Sequence, residues 1–342
     1  MATPPQTPGA FVAAIERIAP VLAQVERAMH EQLTSASALA GQVGGHVLEA
    51  GGKRIRPVLL SLSAELCGYT GPRCVQVAAA IELLHTATLL HDDVVDLSEL
   101  RRGRPSANAI WGNRRAVLAG DFLYARASTM IVEDGDIEVL SVFANTIRLM
   151  AEGELLQLER SFDATITEAH YFEVIERKSA ALLCAASELG AILAGVTRGE
   201  RRRVAEFGRE IGLAFQLRDD ALDYEAGEGE LGKQRYADLR EGKVTLPLLL
   251  GLKRATSNER EAVGSLLKAT RSAELGLGEG SEAPIDFGPA LEIVERYHGV
   301  ADTVRRAERH MTRAVEAIAP FGDGRAKQDL LAAARFAVSR DR

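Results

Sequence analysis

Two clusters of aspartates, each inside a strongly apolar segment, restrict the fold of this chain more than any other feature. Both have the spacing DDxxD, within HDDVVD and within FQLRDDALDY: Asp92, Asp93 and Asp96 in the first, and Asp219, Asp220 and Asp223 in the second. On a helix, carboxylates four residues apart lie about 40° apart on one face and repel each other. An unpaired carboxylate among apolar residues is also costly. Oxygen ligands of this kind suit Mg²⁺, which completes its shell with water and phosphate oxygens. A solvated acidic helix face is the alternative for either cluster alone, and the repetition of the motif argues against it.

The segments around these clusters carry apolar residues at helical spacing. Aromatic residues are only 5% of the chain, while Ala and Leu, which favour helices, are abundant. No stretch shows sustained strand alternation. The sequence therefore predicts an all-α fold of ten or more helices in one domain over residues 10–342, after a disordered tail at 1–9. Helices are expected at roughly 11–48, 75–95, 114–132, 137–158, 168–195, 201–224, 244–268, 288–318 and 325–339, with a flexible insertion at 271–287.

Several classes of protein do not fit the composition. The net charge of -7 gives no indication of nucleic-acid binding. The first residues lack the features of a signal peptide, and no apolar run reaches about 18 residues, so we expect a cytoplasmic protein without a membrane span. The three cysteines have no CxxC spacing and are interpreted as reduced thiols. Residues 227–233 read GxxxxGK, but Gln234 stands where a P-loop needs Ser or Thr.

Basic residues accompany both aspartate clusters. The segment GGKRIRP at 51–57 is a glycine-hinged basic loop before a helix, and RRGR at 101–104 follows the first cluster. Further basic candidates are Lys178, Lys233 and Lys243. Backbone NH groups at a helix start attract phosphate, and Lys or Arg strengthens that attraction. Each of these basic residues alone could be ordinary surface charge; together with two carboxylate clusters they indicate a diphosphate site.

The chain resembles the trans-prenyl diphosphate synthase family, in particular its long-chain bacterial members. The resemblance covers almost the whole chain beyond the first ten residues. It rests on GGKRIRP (51–57), LLHTATLLHDDVVD (83–96), RRGRPSAN (101–108), GDFLYARA (120–127), EGELLQL (152–158), FQLRDDALDY (215–224), LGK (231–233), DLREGKVTLPLL (238–249) and RFAVSRDR (335–342). The resemblance implies the isoprenoid synthase type of helical bundle, with an active-site cavity between central helices, and a homodimer.

The family's roles carry over to the matching residues. Three Mg²⁺ ions would be held by Asp92, Asp96 and Asp219, with Asp93, Asp220 and Asp223 in support. The allylic diphosphate would be bound by Arg101, Lys178, Ser179, Gln216, Lys233 and Lys243. Isopentenyl diphosphate would be bound by Lys53, Arg56, His85 and Arg102. Without the resemblance, His85 would be interpreted as a core residue.

The same resemblance implies head-to-tail condensation of isopentenyl diphosphate with an allylic diphosphate. Ala87 and Thr88, one helical turn before Asp92, are small and leave the path of the growing chain open. We therefore expect a product longer than geranylgeranyl diphosphate, with eight isoprene units favoured and seven to ten allowed, for quinone side chains. A transient membrane contact would accompany product release. Tight packing of α-helices is the other explanation of these small residues.

Three departures from the family pattern concern closure of the site: Ser179 in place of threonine, Arg218 inside the second aspartate motif, and 234–237 without the usual glycine. The alternatives to a long-chain synthase are a short-chain synthase, a class I terpene cyclase and a regulatory subunit. A cyclase needs no second diphosphate site, and regulatory subunits usually lack an aspartate motif.

Overall fold

The computed structural model describes residues 9–35, 37–225, 236–274 and 285–340, and these are overwhelmingly helical. The helices are α1 Gly9–Glu31, α2 Ala38–Glu49, α3 Ile55–Leu66, α4 Arg73–Val95, α5 Ala107–Trp111, α6 Asn113–Asp134, α7 Ile137–Glu159, α8 Glu168–Ile175, α9 Ala181–Leu193, α10 Arg198–Glu225, α11 Ala237–Arg240, α12 Leu246–Arg254, α13 Ser257–Glu274, α14 Gly288–Arg296, α15 Gly299–Ala317 and α16 Arg325–Ser339. A π-helical turn, Glu176–Ala180, joins α8 to α9. A two-stranded hairpin pairs β1 Leu100–Arg101 with β2 Arg104–Pro105. The all-α prediction is confirmed.

Several predicted helices are interrupted in the structure. The segment 11–48 divides into α1 and α2, and 288–318 divides into α14 and α15 at His298, which has a φ of 55°. The segment 168–195 contains the π-helical turn, and 244–268 divides between α12 and α13. Apolar residues recur on both sides of these breaks, so hydrophobic periodicity alone predicted one helix in each case.

Some predictions fall on residues that the structure does not describe. These are Lys233 and the rest of 226–235, the segment 275–284 of the expected insertion, and residues 1–8 of the expected tail, whose last residue, Gly9, begins α1.

Helix α4 is the central element of the fold. It is apolar on all sides and packs against α1, α3, α6 and α9, as expected for a helix without a solvent face. By length and composition α4 is also the one described helix that could cross a membrane, and 67% of its most apolar window is buried inside the protein. That burial is typical of a core helix.

The remaining helices form two further apolar groups. One is built on α12 and α14, and the other joins α1, α3, α10 and α16. Helix α10 packs along α9 and α15. The two aspartate clusters therefore lie at the carboxyl-terminal ends of α4 and α10, two helices that are fixed by different parts of the core.

Candidate active site

A cavity of about 840 Å³ opens between α3, α4, α6, α7, α9 and α10. Its polar residues come from different helices and include Arg56, His85, Asp92, Lys178 and Asp219. The expected cavity between central helices is therefore present, and it brings together residues from both aspartate motifs and from the basic loop. A smaller cavity of about 140 Å³ adjoins it and shares Lys178, Ser179 and Gln216.

The first aspartate cluster divides its side chains among different partners. Asp92 lines the large cavity. Asp93 is buried; its Oδ1 accepts a hydrogen bond from Arg101 Nε at 2.7 Å and lies 2.6 Å from Arg101 Nη2 in an ion pair. Asp96 forms an ion pair with Lys243 at 3.2 Å. Two of the three predicted carboxylates are thus neutralised by basic residues that were predicted to bind diphosphate.

The second cluster has a similar division. Asp219 lines the cavity and pairs with Arg340. Asp220 is buried; it accepts hydrogen bonds from Tyr171 and, at 2.8 Å, from Gln216. Burial, together with the negative charge of Asp238, raises the pKa of Asp220 to about 8. Asp223 accepts a hydrogen bond from the backbone NH of Ala237 at 3.1 Å.

The raised pKa of Asp92 bears on whether this site could bind a metal ion. Burial raises the pKa of Asp92 to about 6, and the nearby Glu154 and Asp96 add to this effect. A divalent cation would reverse it, because an opposite charge favours the ionised carboxyl. Within the described residues no three His, Cys, Asp or Glu side chains are grouped closely enough to enclose a metal. The donors fit Mg²⁺ or Ca²⁺ that shares its shell with substrate oxygens.

The π-helical turn presents Lys178 and Ser179 to both cavities. Two glycines allow its close approach to neighbouring helices. A Cβ at Gly153 of α7 would lie 2.6 Å from the backbone N of Lys178, and one at Gly212 of α10 would lie 2.6 Å from Cα of Ala180. Lys178 pairs with Glu154 at 2.5 Å. π-helical turns are frequent at functional sites.

The hairpin sends two consecutive arginines in different directions. Its turn residues Arg102 and Gly103 both have positive φ, 54° and 75°, the backbone of a tight two-residue hairpin turn. Arg101 turns back to Asp93, whereas Arg102 enters the large cavity. A Cβ at Gly52 would lie 2.9 Å from Nη1 of Arg102. The absence of a side chain at Gly52 leaves room for the guanidinium in this position.

The predicted isopentenyl diphosphate residues line one part of the cavity, and positive charge is in excess there. Burial and the charge of Arg102 lower the pKa of Arg56, whose Nε is buried without a hydrogen-bond partner. Burial, Arg56 and Arg102 hold the pKa of His85 well below its usual range, so its ring is neutral at pH 7. Lys53 also lines the cavity, with Nζ 4.5 Å from the ring centre of Phe336. These groups favour an anionic ligand.

The route predicted for a growing chain starts beside Asp92. Ala87 and Thr88 both line the cavity, and Thr88 Oγ1 donates a hydrogen bond to the backbone O of His85 at 2.8 Å. Apolar lining beyond them is supplied by Ile147, Met150, Leu182 and Leu183. The cavity wall is therefore polar at the aspartates and apolar between the helices.

Sequence analysis missed four residues of the site. Arg54 pairs with Glu26 at 2.5 Å and with Glu82 at 3.2 Å, which places it in the frame of the basic loop. The others are Glu154, Tyr171 and Arg340. Glu154 belongs to EGELLQL and Arg340 to RFAVSRDR, so both could have been found in these motifs; Tyr171 reaches the site only through tertiary packing.

The comparison with protein families settles the relationship. The family model for polyprenyl synthetases matches residues 37–276. The chain belongs to the polyprenyl synthetase family.

Known members resemble the chain over nearly its whole length. Octaprenyl diphosphate synthase of Escherichia coli (strain K12) is 41% identical over 321 residues, which span 94% of this chain and 96% of the relative. The all-trans-nonaprenyl-diphosphate synthase (geranyl-diphosphate specific) of Rhodobacter capsulatus is 38% identical over 94% of this chain and 97% of its own length. The crystal structure of a polyprenyl synthase from Caulobacter crescentus CB15, complexed with calcium and isoprenyl diphosphate, has a TM-score of 0.90 and 39% identity, covering 99% of this chain and 100% of that one.

Proposed function

We propose that this polyprenyl synthetase joins isopentenyl diphosphate to an allylic prenyl diphosphate and releases a long-chain all-trans polyprenyl diphosphate. One observation carries the proposal: a single cavity contains carboxylates of both aspartate motifs and, separately, a group of cations with excess charge. Such a cavity suits two diphosphates, one bound through a metal and one bound directly.

Divalent metal ions belong to the proposal for the first diphosphate. We assign Asp92, Asp96 and Asp219 as ligands of Mg²⁺, three ions per site, with Asp93, Asp220 and Asp223 in support. When bound, the metal neutralises the negative charge that develops on the leaving diphosphate. The calcium of the Caulobacter structure supports a divalent cation without fixing its identity or number.

The protein's own residues complete the allylic site. Lys178 and Ser179 approach from the π-helical turn and Gln216 from α10, while Arg101 and Lys243 are held beside the first cluster by Asp93 and Asp96. Lys233 belongs to the same proposed site on sequence grounds. Preplaced cations of this kind stabilise the charge of the departing diphosphate, which lowers the barrier to carbon–oxygen cleavage.

The second diphosphate would bind Lys53, Arg56, His85 and Arg102. Because the ring of His85 is neutral, it offers a hydrogen bond, while the arginines and the lysine provide charge. This site would hold the double bond of isopentenyl diphosphate close to the allylic carbon. The departing diphosphate would take the proton that is lost after bond formation. Helix walls keep water from the allylic cation.

The length of the product is proposed from the relatives and from the cavity. The chain is similar to enzymes that make octaprenyl and nonaprenyl diphosphates. Small residues at Ala87 and Thr88 leave the route past the metal site open. We propose octaprenyl diphosphate as the main product, within seven to ten units, as a precursor of quinone side chains.

A cytoplasmic homodimer, in transient contact with a membrane during product release, completes the proposal. The support for pairing is a set of exposed apolar side chains on α6: Val117, Leu118, Tyr124 and Val132. Exposed apolar residues of this kind mark interaction surfaces when they form a patch.

The test is incubation of the purified chain with Mg²⁺ and farnesyl diphosphate, with and without isopentenyl diphosphate. We expect polyprenyl diphosphates only when both substrates are present. A hydrocarbon released without isopentenyl diphosphate would indicate a terpene cyclase. Products of three or four units would indicate a short-chain synthase, and inactivity that a second subunit repairs would indicate a regulatory role.

A further inference from the structure

Arg340, which follows α16, contacts α10 beside the second aspartate cluster. Arg340 is 8% exposed and forms an ion pair with Asp219. Its Nη2 donates a hydrogen bond to the backbone O of Phe215 at 3.0 Å, and its guanidinium carbon lies 3.4 Å from the centre of the Phe215 ring. The side chain therefore covers one edge of the cavity.

Arg218 fixes this position from the opposite side. Its Nε donates a hydrogen bond to the backbone O of Arg340 at 3.1 Å, and its Nη1 pairs with Glu225 at 2.8 Å. The side chain of Arg218 is 11% exposed. Arg218 thus links two points of α10 to the chain after α16, and it directly precedes Asp219.

The ion pair has a consequence for any cation that approaches Asp219. A charged guanidinium already neutralises the carboxylate, so a divalent ion must compete with Arg340 for its oxygens. The Nε of Arg340 is buried without a hydrogen-bond partner, so its position on Asp219 leaves one donor unused. An unsatisfied buried donor carries a free-energy cost, which favours departure of Arg340 once another cation occupies Asp219.

We propose that Arg218 is a positioning residue that anchors Arg340 as the internal counter-ion of Asp219, so that metal binding at the second aspartate cluster is coupled to release of Arg340 from α10. This inference rests on the proposed role of Asp219 as a metal ligand. Arg218 contacts neither the metal nor the substrate. It determines how strongly Arg340 competes with the metal for the oxygens of Asp219.

The test measures metal binding and backbone exchange without substrate. Mn²⁺ is titrated by electron paramagnetic resonance, and hydrogen–deuterium exchange is followed in the carboxyl-terminal peptide that contains Arg340. In the wild type, Mn²⁺ should accelerate exchange in that peptide. In Arg218→Leu and in the milder Arg218→Gln, exchange should already be fast without metal, and Mn²⁺ should bind roughly three- to tenfold more tightly.

Two variants separate this role from ordinary packing. Arg202→Leu changes an exposed arginine of the same helix and should leave both measurements unchanged. Glu225→Gln removes the ion pair of Arg218 but not its hydrogen bond to Arg340, and its effect should be the smaller one. The inference is overturned if Arg218→Gln leaves affinity and exchange at wild-type values, or if Glu225→Gln reproduces the whole effect.

Failure of the proposed function would be recognised separately. If Mn²⁺ changes hydrogen–deuterium exchange at Arg340 but the protein forms no polyprenyl product, the proposed enzymatic activity is wrong and the role of Arg218 stands. An Asp219→Asn variant with unchanged Mn²⁺ stoichiometry and affinity would remove the ligand assignment, and the inference with it.

Discussion

At the residue scale, the two proposed diphosphate sites differ in how their charges are balanced. Four described cations around the aspartates have a carboxylate partner: Arg101 with Asp93, Lys178 with Glu154, Lys243 with Asp96, and Arg340 with Asp219. Near His85, burial lowers the pKa of Arg56 and of Arg102; neighbouring arginines lower it further, and Glu82 opposes this effect. A diphosphate that binds the first site must therefore displace these carboxylates from their cations. At the second site, buried cations in excess already attract it.

The aspartates that line the cavity should be essential for turnover. Asp92→Ala and Asp219→Ala each remove a proposed metal ligand, so we expect kcat to fall by roughly a hundredfold or more. Neither change should unfold the protein, because the apolar sides of α4 and α10 are untouched. Steady-state assays at saturating Mg²⁺, with circular dichroism as the folding control, give the answer. Near-normal turnover in either variant would remove the metal assignment.

His85 should make the stability of the protein sensitive to acid. Its pKa is lowered in the folded state, so below about pH 6.5 the unfolded chain binds a proton that the native protein does not. The native state then loses up to about 1.4 kcal/mol per pH unit as the pH falls. Urea unfolding of the wild type and of His85→Gln at pH 7.5, 6.5 and 5.5 measures the difference. Curves that stay parallel across this range would contradict the prediction.

At the scale of single elements, α4 combines two tasks on successive turns. Its last turn carries the first aspartate cluster, while the turn before it supplies the small cavity residues Ala87 and Thr88. Ala87 is 1% exposed, so a large residue there would also strain the core. Thr88 is the better position for a test, since it is only half-buried.

Thr88→Phe should shorten the product. The ring would fill the route one turn below Asp92, at about 6 Å along the helix axis, so elongation should stop at three or four units. Chromatography of the dephosphorylated products measures chain length. Thr88→Val, which keeps the size of the side chain, is the matched control and should give the wild-type length. An unchanged long product in Thr88→Phe would show that the chain takes another route.

At the scale of the whole molecule, the exposed apolar residues of α6 predict that the protein forms a homodimer. Leu118 on α6 is 66% exposed, and Leu118→Glu should weaken a dimer because it places a charge in the proposed interface. Val12→Glu, at an exposed apolar residue of α1, is the control and should remain dimeric. Light scattering at micromolar concentration distinguishes the two. A wild-type monomer with full activity would overturn the homodimer.

Much of the molecule could be predicted from the sequence because its signals are local. Asp92, Asp219, Arg56 and His85 lie in short motifs, and all four line one cavity. The all-α class follows from hydrophobic spacing, and errors in the predicted helix ends do not change it.

Other features depend on contacts between distant parts of the chain. The break at His298 is marked only by Gly299, and a single Gly is also tolerated within a helical pattern. The π-helical turn at 176–180 contains neither Gly nor Pro. The return of Arg340 to Asp219 joins residues that only packing brings together. Hydrophobic periodicity indicates which side of a helix is buried. It does not indicate which distant residues pack against that side.

The hairpin turn links the two proposed diphosphate sites. One peptide bond separates Arg101, which is tied to Asp93, from Arg102, which reaches the cavity. A ligand that immobilises Arg102 therefore also restricts Arg101, so the second ligand loses less conformational freedom when it binds. Reciprocity requires each diphosphate to strengthen binding of the other by the same factor. We therefore expect the four residues of the hairpin to couple binding at the two proposed diphosphate sites.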